Sequence, residues 1–188
     1  MKSFRLIALL VIVSALTGCA VAVVGGAAAG GALVGADRRT VGTQTEDGGI
    51  EVKVASRIND KYPDAHINVT SYNRMVLLTG ETTSSTARVE MEKIARAVEN
   101  VRGIYNEIAV VGNSSMSART NDSYITSKVK ARFVDSGKFS AVHVKVVTES
   151  NVVYLMGLVN HKEADEATEI ARTTSGVQKV VRLFEFLD

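Results

Sequence analysis

The sequence predicts an α/β protein made of two tandem copies of one small unit, each a two-layer sandwich of two helices on a three-stranded mixed sheet. Two observations predict it. Apolar residues recur every four positions in some segments and every two in others, and the same order of segments appears twice, 75 to 77 residues apart. Composition agrees: 188 residues, 46% hydrophobic and 22% charged, describe a globular chain rather than a disordered one.

Each unit opens with an amphipathic helix. Ile50, Val54 and Ile58 mark its apolar face in the first copy, and Ile125, Val129 and Phe133 in the second. A strand follows, Ile67-Asn68-Val69-Thr70 against Val144-Lys145-Val146-Val147. Turns around Asn73-Arg74 and Glu149-Ser150-Asn151 are short enough to make the next strand an antiparallel partner. That second strand holds Val76-Leu77-Leu78-Thr79-Gly80 in one copy and Val153-Tyr154-Leu155-Met156-Gly157 in the other. A second helix carries Ile94-Ala95-Arg96 and Ile170-Ala171-Arg172, and returns the chain for a parallel third strand at Ile104 and Ile108, or Val180 and Phe184. Gly80 and Gly157 are expected at positions of positive φ or of close approach by the second helix. About sixty-five residues is near the lower limit for an independent core, so packing of the two units on each other would help both.

The N-terminus reads as an address. Lys2 and Arg5 precede an apolar run from Leu6 to Leu16, too short for a membrane span. Leu16-Thr17-Gly18-Cys19 then resembles the bacterial lipobox, and Cys19 is the only cysteine. That resemblance implies a diacylglycerol and acyl (palmitate) anchor on Cys19, with Ala20 in place of the Asp that retains lipoproteins at the inner membrane. Each buried methylene contributes about 0.8 kcal/mol, so two or three chains anchor stably. No dissociable cofactor is expected. Ala20 to Ala36 reads as an apolar tether, with the small-xxx-small spacing of Gly26 and Gly30 leaving a packed membrane helix as the competing reading. Thr40 to Gly49 reads as a polar linker. The boundaries are thus 1–18 signal peptide, 19–45 lipidated tether and linker, 46–113 first unit and 114–188 second unit.

Charge narrows the function. Removing residues 1–18 takes Lys2 and Arg5 and no acid, which leaves 20 basic residues against 20 acidic. A general electrostatic case for nucleic acid fails. No catalytic constellation is visible, so the chain is not expected to be an enzyme. His161, Glu163, Asp165 and Glu166 read as the capped first turn of a helix, with Asn160 as the cap. His66 and His143 occupy equivalent places in the two copies, which points to the repeat rather than to a metal pair, and no metal site is expected.

The paired units resemble the BON domain (bacterial OsmY and nodulation). The carrying residues are Gly157, Ala167, Ala171 and Gly176-Val177 in the second copy, and Gly80, Ala95 and Val101 in the first, where Asn100 replaces the expected glycine. The strings Arg39-Thr40-Val41-Gly42-Thr43-Gln44, Tyr105-Asn106-Glu107-Ile108 and Met156-Gly157-Leu158-Val159 are similar to those of dual-BON outer-membrane lipoproteins. The resemblance implies a non-enzymatic, monomeric periplasmic protein at the outer membrane, supporting envelope integrity. It implies binding of anionic phospholipid through the first helix of the second domain, and enrichment at the division site. An adaptor that holds an envelope protein partner is the alternative.

Residue patterning also favours that helix. With Asp122 to Asp135 at about 100° per residue, Tyr124, Ser127, Ala131 and Val134 oppose the apolar face, and Lys128 and Lys130 flank them. An aromatic ring and small apolar groups between cations suit a headgroup layer. From Lys128 to Lys145, five basic residues (Lys128, Lys130, Arg132, Lys138 and Lys145) stand against one acid, Asp135. Each cation near an anionic surface contributes about 1 kcal/mol. The first copy puts Gly49, Val52, Ser56 and Asn59 in the outward places, with Lys53 and Ala55 flanking. In the structural reading, Tyr124 is instead a partly buried residue and the lysines merely solubilise.

Overall fold

The computed structural model describes residues 37–187. The lipobox with Cys19 and the apolar tether lie outside the described residues. The first domain runs α1 (Val41–Lys61), β1 (His66–Tyr72), β2 (Met75–Thr82), α2 (Ser85–Arg96), β3 (Gly103–Asn106) and β4 (Ala109–Val110). The second runs α3 (Met116–Ser136), a 3-10 turn (Ala141–His143), β5 (Val144–Glu149), β6 (Val152–Val159), α4 (His161–Arg172) and β7 (Lys179–Phe186). In each, the second strand is central: β2 pairs antiparallel with β1 and parallel with β3, and β6 does the same with β5 and β7. Among the described residues no helix is long and apolar enough to cross a membrane.

Three differences from the sequence reading have local causes. The segment Thr40 to Gly49 is not a linker: from Val41 it forms the opening turns of α1. Thr40 caps the helix by accepting from the Thr43 amide at 3.1 Å, and Asp47 is buried rather than solvated. Likewise α3 starts at Met116, capped by Ser115, six residues before the expected start. The third strand of the first domain is interrupted at Glu107-Ile108, although β3 and β4 keep one register along β2. Asn106 causes the break, because its side chain turns to the Arg88 carbonyl and the Glu92 carboxylate of α2.

The glycines follow their backbone demands. Gly80 has φ +111°, and an added Cβ would lie 1.9 Å from the His66 carbonyl oxygen. Gly157 needs no positive φ, but an added Cβ would sit 2.5 Å from the His143 carbonyl oxygen. The close neighbour in both is the opposing strand end, not the second helix. Gly176 has φ +98°, and Asn100, its equivalent in the first copy, reaches the same left-handed region at φ 68°. Asparagine tolerates that region better than most residues.

Each helical layer covers one sheet face and closes a core. Ile50, Val54 and Ile58 meet Val76, Leu78 and Met91 in the first domain, and Ile125, Val129 and Phe133 meet Val153, Leu155 and Ala167 in the second. A third apolar cluster lies between the sheets, where Tyr72 and Leu77 of the first domain pack with Tyr154 and Met156 of the second. The helix-free faces therefore meet each other. Burial at this seam pushes the Tyr154 phenol up to about 12. Polar bonds frame it, including Asn73 and Arg102 to Glu185, Lys145 to Glu51 and Arg38 to Glu163.

One repeated device fixes each hairpin to its first helix. Both turn residues have left-handed backbones: Asn73 and Arg74 in the first copy, Ser150 and Asn151 in the second. Asp47 accepts from the amides of Asn73 and Arg74, and Asp122 accepts from those of Ser150 and Asn151. A buried carboxylate so bonded fixes the angle between helix and hairpin.

Candidate membrane-binding surface

The back-to-back arrangement turns both helical layers away from the seam. On α3, the apolar row Ile125, Val129 and Phe133 is fully buried, which fixes the helix about its own axis. The opposite row is solvent-facing. Tyr124 is 62% exposed and Val134 69%, and Ser127 and Ala131 between them are also exposed. The structural reading of Tyr124 as a partly buried residue does not hold. The extra turns of α3 add Met116, 74% exposed, and Thr120 to the same strip.

The strip is less polar than its composition suggests. Thr120, Ser123 and Ser127 each donate their hydroxyl to the backbone carbonyl four residues earlier, at 3.0 to 3.1 Å. Their donors are thus satisfied within the helix, which lowers the cost of bringing the face to an interface.

The cations divide into two groups. Lys138 pairs with Glu166 and Lys145 with Glu51, so these two offer little free charge. Lys128, Lys130 and Arg132 have no acidic partner among the described residues. Lys128 is half-buried, donates to the Ser175 carbonyl and holds its ammonium 4.6 Å from the Tyr124 ring centroid. That cation–π contact pre-orients the ring. Arg132 reaches the Ile170 carbonyl and the Thr174 hydroxyl, so its charge lies beside the strip. Lys130 stands exposed at the other margin. Gly176 lies under this helix, where an added Cβ would come 3.1 Å from Ile125.

The first domain supplies an internal comparison. On α1 the equivalent residues Gly49, Val52, Ser56 and Asn59 are exposed as well, but they carry no ring, and Ala55 stands where Lys130 stands. Two folds of one design therefore present two different surfaces.

The BON-domain pattern matches residues 46–112 and 121–188. The chain belongs to the BON-domain family. Its two BON domains are the two αββαβ units described above. The outer membrane lipoprotein DolP of Haemophilus influenzae is 37% identical over 176 residues, which cover 92% of this chain and 91% of that protein. The 21 kDa hemolysin of Actinobacillus pleuropneumoniae is 34% identical over 154 residues, 80% of this chain and 79% of the relative. The osmotically-inducible protein Y of Escherichia coli is 29% identical, covering 80% and 77%.

The remaining sequence candidates have structural duties. Asn160 and Glu163 form a capping box at the start of α4. Burial raises the Glu163 carboxyl, but bonds from Arg38, the Asn160 amide and His143 together hold it below its ordinary range. His66 and His143 each take their own acid, Glu81 and Glu163 respectively. Sequence reasoning missed Asp47 and Asp122, although their shared 75-residue offset marks them as repeat-equivalent. It also missed Met116 and Thr120, which the Ser115 cap marks as helical.

Proposed function

We propose that the chain is an outer-membrane-anchored periplasmic lipoprotein whose second BON domain docks on anionic phospholipid through α3, in support of envelope integrity. It acts by binding and not by catalysis. The observation that carries the reading is the exposed Tyr124–Val134 strip, fixed by a buried apolar row behind it and edged by cations without acidic partners among the described residues. Its absence from α1 supports assigning the role to the second domain alone. The similarity to an outer membrane lipoprotein over nine-tenths of the chain supports the location and the Cys19 anchor. Enrichment at the division site is part of the same reading, and imaging of a tagged protein tests it.

The docking pose follows from the geometry. The Tyr124 ring, Ala131, Val134 and Met116 enter the headgroup layer, while Lys128, Lys130 and Arg132 meet phosphates at its edge. Three cations at about 1 kcal/mol each give weak, salt-sensitive binding. That suits a protein already held by its acyl chains, for which docking is an intramolecular step.

The test uses residues 37–188, which omit the anchor and keep the Thr40 cap and the Arg39–Asp47 pair. This fragment is expected to sediment with phosphatidylglycerol vesicles and not with phosphatidylcholine vesicles. Tyr124→Glu should abolish binding, and Lys130→Glu should weaken it at least fivefold, with unchanged circular dichroism. Val52→Glu on α1 should have no effect. Binding that survives Tyr124→Glu, or that is lost in Val52→Glu, would remove α3 from the account. No vesicle binding at all would favour the adaptor reading.

A further inference from the structure

The seam between the domains holds a polar cluster that the membrane face does not use. His66 opens β1, Glu81 is its cross-strand partner on β2, and Glu149 ends β5 of the other domain. One ligand-type atom from each of the three lies within 4.8 Å of the others. Both acids are buried, Glu81 at 2% exposure and Glu149 at 7%. His66 Nδ1 is 3.0 Å from Glu81 Oε2, the Ser114 hydroxyl donates to that same oxygen at 3.2 Å, and Asn68 Nδ2 donates to Glu149 Oε2 at 2.8 Å. Glu81 Oε1 is buried with no hydrogen-bond partner among the described residues.

This arrangement is costly as it stands. A buried carboxylate oxygen without a donor has lost its water and gained nothing. Two buried carboxylates lie near one imidazole, which bonds to Glu81. A bound cation that accepts lone pairs from all its members would satisfy such a group.

We propose that His66, Glu81 and Glu149 form a binding site for a divalent first-row transition ion, for which Zn²⁺ is the probe. An imidazole with two carboxylates suits a borderline ion of this kind better than Mg²⁺ or Ca²⁺, which prefer oxygen alone. Ligands at about 2.0–2.2 Å from a tetrahedral ion lie about 3.4 Å apart, so small side-chain rotations close the cluster. Three protein ligands leave the fourth position to water. Access is provided by an open cleft of about 460 Å³, lined by both His66 and Glu149.

The repeat supplies the control. The residues 77 positions away from His66 and Glu81 are His143 and Leu158, and Tyr72 stands 77 positions before Glu149. Leu158 offers no ligand, and the Tyr72 hydroxyl donates to the His143 carbonyl at 3.2 Å. Only one of the two equivalent places can hold an ion. Since Glu149 comes from one domain and His66 and Glu81 from the other, the ion would cross-link the seam.

The experiment uses the full chain in detergent micelles, stripped with EDTA. Zn²⁺ titration by calorimetry should show one equivalent bound, and Zn²⁺ should raise the melting temperature. Co²⁺ should give visible d–d bands without a thiolate charge-transfer band, which sets Cys19 aside. His66→Gln and Glu81→Gln should each weaken binding at least tenfold, and His143→Gln should leave it unchanged. Glu149→Gln tests the same site from the other domain should either variant fold poorly. No saturable binding, a thiolate band, equal affinity across the variants, or a preference for Ca²⁺ or Mg²⁺ over Zn²⁺ would overturn the proposal.

Discussion

Replacing Asp122 with alanine should loosen the second hairpin without touching the apolar core. Asp122 is 5% exposed, and its two oxygens accept from the Ser150 and Asn151 amides at 2.9 and 2.8 Å. Those two residues have φ 49° and 62°, a backbone that alternative partners would have to reproduce. Alanine leaves two amide donors without an acceptor. Each such loss costs about 1–3 kcal/mol, and water entering from the turn recovers part of it, so about 2–4 kcal/mol is expected in total. The first copy gives a graded comparison. Asp47 accepts from the Asn73 and Arg74 amides and also from the Ser71 hydroxyl at 2.7 Å and Arg39 Nη1 at 2.8 Å. Asp47→Ala should therefore cost about 1 kcal/mol more than Asp122→Ala. Urea denaturation of residues 37–188 measures both, provided the slope m is unchanged. A loss under about 1 kcal/mol in both variants, or a larger loss at Asp122 than at Asp47, would refute the assignment of the carboxylates as hairpin anchors.

Two further outcomes follow from the same structure. Gly80→Ala should destabilise by more than about 2 kcal/mol, because the new Cβ would meet backbone at 1.9 Å, whereas Gly112→Ala, with nothing within 4 Å, should be neutral in a thermal melt. Tyr154 has a folded pKa raised to about 12, so the unfolded chain releases its proton first, near pH 10. Stability should fall as pH rises from 10 to 12, and Tyr154→Phe should remove part of that fall relative to the parent protein.

Periodicity carries the architecture well because both helices and strands are half-buried. Ile50-Val54-Ile58 and Ile125-Val129-Phe133 had only one way to face a sheet, and that orientation also put Tyr124 and Val134 outward. What periodicity cannot show is a polar residue turned inward. Asp47 sits in a stretch of Thr, Gln, Glu and Gly that reads as linker, yet three of its four named partners lie 24 to 27 residues away on β1 and the following turn. The Gly48-Gly49 pair weakens helix propensity there, and the tertiary anchor overrides it. Net charge from Lys128 to Lys145 is overstated by sequence for a related reason. Glu51 and Glu166, which pair with Lys145 and Lys138, are distant in sequence. The cluster of His66 with Glu149 spans two domains, so only the seam reveals it.

Each half of this protein is an unfinished three-layer structure. Severed from its sibling, either half would present Tyr72 and Leu77, or Tyr154 and Met156, as bare greasy surface. Water would push such a fragment to find a substitute, and the best fit available is another copy of itself. Expressing one half alone should thus yield a homodimer or an aggregate. Fusing two self-pairing halves in one polypeptide frees each to drift on its outer side, so one can keep a plain helix while the other acquires a sticky one.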